Sequence, residues 1–381
     1  MSANSFLVVV ILSWLYIIPA EASAQVAPGA ASELQTEKID VYLQQKMAAL
    51  HIPGLSIAVV RDGKVLLARG YGMANLELLT PATEKTVYHL ASITKTFTAV
   101  ATMMLVEEGK ISLEDPASKH LEDLPAAWRS VRVRHLLTHT SGISSFAAHD
   151  KIPCPVGKSE HEYTRSDALK EVSCLPLDFP PGEQWAYGDT GYHLLGMIIE
   201  KVSGIEYGKF LQTRVFFPLG MHNTRSDSYS ELILRRADGY SPRSDGFLNA
   251  RPLPPFEFAN AGLVSTVLDM AKFDAALGTE QLLKRATLEQ MWTNARLNNG
   301  SKVTAYGLGF GLTPFRRHQR VGHSGGGGFG FATVFTRFLN DNVTVIILSN
   351  ADQEGFSIYD VANEVASYYF VTIDNTADMS D

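Results

Sequence analysis

The sequence predicts an α+β protein: an antiparallel β-sheet flanked by N- and C-terminal helices, with a mostly helical domain inserted between. Three observations predict it. The chain after residue 32 begins with helix and hairpin patterns, it closes with a second hairpin and a helix, and the long middle reads as helices joined by proline-rich connections. One sheet built from both ends is the economical arrangement, and a ligand site is expected in the cleft between the two parts.

Each element follows from local pattern. Between Glu33 and Leu50, the residues Leu34, Ile39, Leu43, Met47 and Leu50 recur at helical spacing. Leu55 to Val60 and Val65 to Ala68 flank Arg61-Asp62-Gly63-Lys64, where Asp-Gly supplies a tight hairpin turn. Phe329 to Phe335 and Val343 to Leu348 flank the turn-prone Asn340-Asp341-Asn342, and a helix from Ile358 to Phe370 follows. Residues 33–375 are thus read as one unit, with an α/β part at 33–90 and 300–375 and a helical part at 91–299, followed by a tail at 376–381.

Composition narrows the function. The chain has 381 residues, 45% hydrophobic and 19% charged, enough for a large core. Net charge is −7, the pI is about 5.9, and Lys and Arg are scattered, so no nucleic-acid footprint is visible. Phe6 to Ile18 is nearly all apolar and leads to Ala22-Ser23-Ala24, the pattern of a secretory signal cleaved after Ala24. Residues 1–24 are therefore read as a signal, 25–32 as a linker, and the protein as periplasmic or secreted. The segment before the apolar run lacks Lys and Arg, which leaves membrane anchoring by an uncleaved signal as the alternative. Export would make Cys154 and Cys174 a disulfide closing a loop of roughly 20 residues, a constraint contributing about 3 kcal/mol; two buried thiols are the alternative. No metal or cofactor is implied. His135 and His139 have zinc-like spacing, but Leu136 stands where H-E-x-x-H needs its glutamate, so a structural role is expected.

Gly322-His323-Ser324-Gly325-Gly326 fits the G-x-S-x-G elbow of α/β-hydrolases, which needs a helix directly after the serine and a later histidine. Glycines follow instead, each costing a helix about 1 kcal/mol relative to alanine, and no histidine occurs after His323. The better nucleophile is Ser92 in Ser92-Ile93-Thr94-Lys95, heading a segment that runs through Phe97, Val100, Met104 and Leu105 to the helix stop Gly109. Lys95, three residues on, shares its face. Serine attacks only when a base takes its proton, and a lysine does so only if its pKa is lowered. The helix N-terminus adds backbone N–H groups where an oxyanion would form. Alone, S-x-x-K is a weak signal.

Two further segments sharpen it: Pro181-Gly182-Glu183-Gln184-Trp185-Ala186-Tyr187-Gly188-Asp189-Thr190-Gly191-Tyr192, placing a tyrosine just before a helix that runs to Gly204, and His323-Ser324-Gly325, opening a glycine-rich strand. With Ser92-Ile93-Thr94-Lys95 they resemble the S-x-x-K, Y-x-N and K-T-G or H-x-G series of the serine β-lactamase and penicillin-recognising hydrolase family. The resemblance is nearest to class C β-lactamases and their esterase, D-aminopeptidase and D,D-carboxypeptidase relatives. His135-Leu136-Leu137-Thr138-His139-Thr140-Ser141-Gly142, Phe217-Pro218-Leu219-Gly220-Met221, Ala261-Gly262-Leu263-Val264-Ser265-Thr266 and Tyr306-Gly307-Leu308-Gly309 are similar too. The likeness covers nearly all of the chain after the signal.

The resemblance implies that Ser92 attacks a carbonyl, Lys95 and Tyr187 handle its proton, and water hydrolyses the acyl-enzyme. It places His323 in the catalytic third motif and the Ser92 and Gly326 N–H groups at the oxyanion. Asp189, Ser324, Gly325 and Tyr306 are expected to bind substrate, although Tyr306 suits a core equally well. Trp185 is expected to pack inside. Two departures bear on substrate: Asp189 replaces an amide that donates, and His323 replaces a lysine that would greet a carboxylate. An aspartate beside Lys95 raises that lysine's pKa; Asp189 would either hold Lys95 protonated, which hands the base role to Tyr187, or instead receive a substrate ammonium. The expected activity is hydrolysis of a small ester or amide. The alternatives are a β-lactam or D-amino-acid peptide substrate, and a non-catalytic binding protein.

Overall fold

The computed structural model describes residues 33–146, 164–228, 230–250, 258–352 and 357–370. The signal, linker and tail expectations and Cys154 lie outside the described residues, while Cys174 caps the C-terminus of a helix and is not a free thiol. In chain order come α1 (Glu33–Ala49), β1 (Gly54–Arg61), β2 (Lys64–Asn75), β3 (Thr80–Pro81), β4 (Tyr88–His89), α2 (Thr94–Glu107), α3 (Val133–Leu137) and α4 (Arg165–Ser173). Then follow α5 (Thr190–Ser203), α6 (Tyr207–Leu211), β5 (Arg225–Ser226), β6 (Tyr240–Arg243), β7 (Gly246–Asn249), β8 (Leu263–Ser265), α7 (Val267–Leu277) and α8 (Arg285–Met291). The described chain closes with β9 (Arg320–Gly325), β10 (Ala332–Phe338), β11 (Val343–Ser349) and α9 (Ile358–Ser367).

The main sheet has the order β3-β2-β1-β11-β10-β9 and every pairing is antiparallel. Strands from the two ends of the chain meet at its centre, where Leu55 to Arg61 run against Ser349 to Val343. The first turn forms because Asp62 and Gly63 both take positive φ (50° and 72°), the twist a two-residue hairpin needs. One face of the sheet is closed by α1 and α9. Ile39, Leu43 and Met47 from α1 and Val361 and Val365 from α9 join Ile57, Val59, Val345 and Ile347 in one apolar layer. The other face packs on α7 and α2, with Phe273 stacked at 4.1 Å on Phe97 and 5.9 Å from Phe335.

Two expectations shift. The second hairpin begins three residues later than the hydrophobic pattern suggests, because Gly327, Gly328 and Gly330 take positive φ and form the link from β9 to β10. His323-Ser324-Gly325 consequently ends a strand instead of opening one. The middle of the chain is also less purely helical than expected, holding the three-stranded sheet β4-β8-β5 and the β6–β7 hairpin. That small sheet matters to the site, since β4 delivers the chain to Ser92 and β8 lies beside it.

Candidate active site

Ser92 sits in a single 3-10 turn, Ala91–Ile93, between β4 and α2. The turn is clamped from three sides. The Leu90 N–H donates to the Leu263 carbonyl at 2.8 Å, the Thr333 hydroxyl donates to the Leu90 carbonyl at 2.9 Å, and the Ala91 N–H donates to His89 Nδ1 at 3.0 Å. Those bonds hold Ala91 at φ 47°, a conformation that an L-residue rarely adopts and that places the strain directly before Ser92. The third motif presses against the same turn. A Cβ on Gly325 would lie 2.2 Å from the Leu90 carbonyl oxygen, so only glycine lets β9 close on Ser92. Gly326, one residue on, is exposed at the cleft.

Lys95 is fully buried in the first turn of α2 and spends all three ammonium protons. They go to Ser92 Oγ at 3.0 Å, Asp189 Oδ1 at 2.6 Å and the Asn260 carbonyl at 3.0 Å. Burial by itself would lower this lysine's pKa, but Asp189 and Tyr187 outweigh it and the net direction is upward. Asp189 occupies the N-cap of α5, where its backbone carbonyl accepts the Tyr192 and His193 N–H groups while its side chain makes no cap bond and turns to Lys95 instead. Tyr187 is 41% exposed along its ring, while its hydroxyl meets Lys95 and Ser92. Desolvation of the hydroxyl end raises its pKa, the Lys95 charge opposes this, and the Asp189 charge adds to it. At neutral pH Tyr187 is therefore a neutral phenol and Lys95 an ammonium, both beside the serine.

His323, Tyr306 and His139 form the wall behind this trio. Tyr306 Oη lies 3.1 Å from His139 Nε2 and 3.1 Å from His323 Nε2, and His323 Nδ1 lies 2.6 Å from the Ser324 carbonyl. Burial and the nearby Lys95 charge push the His323 pKa down to about 4, so the ring is neutral. Both of its nitrogens are occupied, and it braces the motif. Tyr306 is only 5% exposed with its hydroxyl taken, which makes it a brace also and not a surface for substrate. Trp185 is the reverse case: expected inside, it is 42% exposed, its indole edge-on to His139 at 6.3 Å and tilted to Tyr306 at 6.2 Å.

The structure thus gathers Ser92, Lys95, Tyr187, Asp189, His323, Ser324, Gly325 and Tyr306 around one cleft. It adds three residues that the sequence reading assigned no part in it. Asn260 supplies a carbonyl to Lys95, Tyr359 on α9 bonds the Ser324 side chain, and His139 touches both Tyr187 and Tyr306. Asn260 and Tyr359 carry no local pattern that announces them; His139 did stand in a quoted segment. His135, its neighbour in sequence, instead accepts the Arg132 N–H at the start of α3. Among the described residues, no group of three or more His, Cys, Asp or Glu side chains is placed to hold a metal ion.

A family model described as beta-lactamase matches residues 39–367. The chain belongs to the beta-lactamase family. Penicillin-binding protein 4* of Bacillus subtilis (strain 168) is 30% identical over 318 residues, covering 78% of this chain and 68% of that one. The octameric penicillin-binding protein homologue of Pyrococcus abyssi superposes with a TM-score of 0.74 at 32% identity, covering 87% of this chain and 76% of the other. The D-amino acid amidase of Ochrobactrum anthropi SV3 gives a TM-score of 0.75 at 28% identity over 88% of this chain and 97% of its own. This beta-lactamase family membership, with an amidase and penicillin-binding proteins among the similar structures, supports a general hydrolase activity and a beta-lactamase or transpeptidase-like fold.

Proposed function

We propose that this beta-lactamase family protein is an exported serine hydrolase that forms an acyl-enzyme on Ser92 and hydrolyses small esters or amides. The observation that carries the reading is the Lys95 ammonium, buried and donating at once to Ser92 Oγ, Asp189 and the Asn260 carbonyl. An ammonium with three protons committed cannot accept a fourth. Its contribution is to stabilise negative charge growing on Ser92 Oγ as the hydroxyl attacks.

Tyr187 then moves the proton as a neutral relay. Its oxygen takes the Ser92 proton while its own proton passes to the leaving oxygen or nitrogen, so the phenol is regenerated and no phenolate need exist beforehand. The backbone N–H groups of Ser92 and Gly326 receive the carbonyl oxygen. Water attacks the acyl-enzyme by the same relay run backwards, restoring the Ser92 hydroxyl and releasing the acid. A neutral His323 offers no fixed cation for a substrate carboxylate, and the Asp189 charge is already paired with Lys95. Both features favour an uncharged acyl substrate over a peptide carboxylate or a β-lactam.

The test compares kcat/KM for a short-chain p-nitrophenyl ester with that for a chromogenic cephalosporin, using Ser92→Ala as background. Ester turnover that is lost in the variant, with little cephalosporin opening, is expected. A cephalosporin preference would make the protein a β-lactamase. Absence of a fluorophosphonate adduct on Ser92 in the wild type, read by intact mass, would sink the enzymatic reading altogether.

A further inference from the structure

His139 bonds both Tyr306 and the Gly188 N–H beside Tyr187 and has no assigned part in the reaction. Its backbone sits at φ 57°, in the left-handed region where only a few per cent of non-glycine residues are found. Glycine would occupy that position without steric cost. The strain is offset by what the imidazole does.

Donor-only and acceptor-only partners fix the tautomers of both imidazoles. The Gly188 N–H can only donate, so His139 Nδ1 accepts from it at 3.2 Å. A neutral ring then carries its proton on Nε2, which donates to Tyr306 Oη. At the far end the Ser324 carbonyl can only accept, so His323 Nδ1 carries a proton and its Nε2 is the acceptor. The single Tyr306 proton has two acceptors, His323 Nε2 at 3.1 Å and Tyr192 Oη, whose own proton goes to the Leu137 carbonyl; the bond to His323 is the one that continues the chain. Both imidazoles are neutral, because burial and the Lys95 charge disfavour their protonation. His139 also packs its ring on Tyr187, centroids 4.4 Å apart, and on Tyr192 at 5.1 Å.

We infer that His139 is a positioning residue: a one-way chain from the Gly188 N–H through His139, Tyr306 and His323 to the Ser324 carbonyl locks the Tyr187 relay to the glycine strand beside Ser92. The chain spans the second and third motifs, which share no sequence neighbourhood. Its function rests on the reading of Ser92 as the nucleophile, but its existence does not.

Two measurements separate those levels. Two-bond nitrogen–proton NMR spectra of the substrate-free wild type at pH 7 report which ring nitrogen of each histidine holds the proton. The expected result is His139 protonated on Nε2 and His323 on Nδ1; identical tautomers, or either ring as imidazolium, overturns the chain. For function, His139→Phe keeps an aromatic ring on Tyr187 and removes both bonds. Its kcat for the p-nitrophenyl ester is expected to fall about 10- to 100-fold, with KM changed by no more than about threefold, as expected when a reacting group is misplaced. His139→Gln, which can still donate to Tyr306, should recover part of the loss. Combining His139→Phe with Tyr306→Phe should cost no more than the worse single change, because both cut the same chain. An unchanged kcat in folded His139→Phe, or losses that multiply in the double variant, overturns the inference. If Ser92 takes no fluorophosphonate while the tautomers are as expected, the hydrolase reading fails and the chain stands.

Discussion

Lys95–Asp189 and Arg337–Asp274 are both buried ion pairs, at 2.6 and 2.7 Å, and they are built for opposite purposes. Asp274, on α7, receives Arg337 from β10 and the Thr344 hydroxyl from β11, so the pair ties the helix to two strands of the sheet. Its cation is a guanidinium, whose planar fork of donors matches a carboxylate. The pair beside the cleft uses a lysine, and that lysine's further partners are a serine hydroxyl and a backbone carbonyl. Its carboxylate, moreover, is partly open to solvent. The Arg337 pair bonds only groups that tie α7 to the sheet, whereas the Lys95 pair shares its donor with Ser92, the nucleophile of the proposed reaction.

Exchanging the cations breaks the comparison most directly. Lys95→Arg keeps the charge but puts a planar fork into a fully buried site shaped for a point donor, and kcat for the ester is expected to fall by about 10²- to 10³-fold through loss of that donor geometry. Arg337→Lys in the other pair should leave kcat within about twofold while lowering the unfolding temperature. Comparable activity losses from both exchanges would abolish the distinction. Removing an anion gives the next largest effect. Asp274→Ala strands Arg337 among buried neighbours, and a cost of about 3 to 5 kcal/mol is expected in denaturant unfolding. A loss below about 1 kcal/mol would show that the guanidinium finds other partners.

Acidification probes the cleft wall and the core together. Burial lowers the pKa of His89 to about 4, of His193 to about 3 and of His323 to about 4, and holds that of His139 well below its ordinary 6.5. The folded state keeps these rings neutral while the unfolded chain takes up protons from pH 6.5 downward. Stability should therefore fall as pH drops from 6.5 to 4, by up to about 3 kcal/mol for a ring whose pKa reaches 4. Asp274 works the other way over the lower part of this range, since burial raises its pKa and its folded carboxyl binds a proton more tightly. Lys95, with its pKa raised, keeps its stabilising contribution until pH exceeds 10.5. Thermal unfolding followed between pH 7 and 4 tests the balance, and a flat profile would mean that these histidines are hydrated.

How much of this was legible beforehand depends on whether a residue's role is set by its neighbours in sequence. The hairpin at Asp62-Gly63, the helix stops at Gly109 and Gly204 and the Ser92–Lys95 spacing are local, and each appears where the pattern puts it. The expected start of β10 fails because its apolar run extends into glycines whose positive φ no hydrophobicity pattern reports. Trp185 fails for a related reason: indole size argues for the core, but its loop holds it at the rim. His139, Asn260 and Tyr359 act through partners far along the chain, at Tyr306, Lys95 and Ser324, so only the assembled fold places them in the cleft.

The smallest expected effect sharpens the comparison furthest, because it changes a single charge in the reactive pair and leaves its shape. In Asp189→Asn the amide can still accept from Lys95, but the charge that holds the ammonium is gone, and burial then pulls the lysine's pKa down. A lysine able to lose its proton can take one from Ser92, and an amide that donates can bond a lactam-side carbonyl. Cephalosporin turnover is expected to rise about tenfold, equivalent to roughly one pK unit of altered proton affinity, and kcat should gain a titration at lower pH than the wild type shows. The ester rate should move less, since the proposed relay through Tyr187 does not need Lys95 as a base. An unchanged or lower cephalosporin rate would mean that Asp189 does not set the proton on Lys95, and the base would have to be sought in Tyr187 alone.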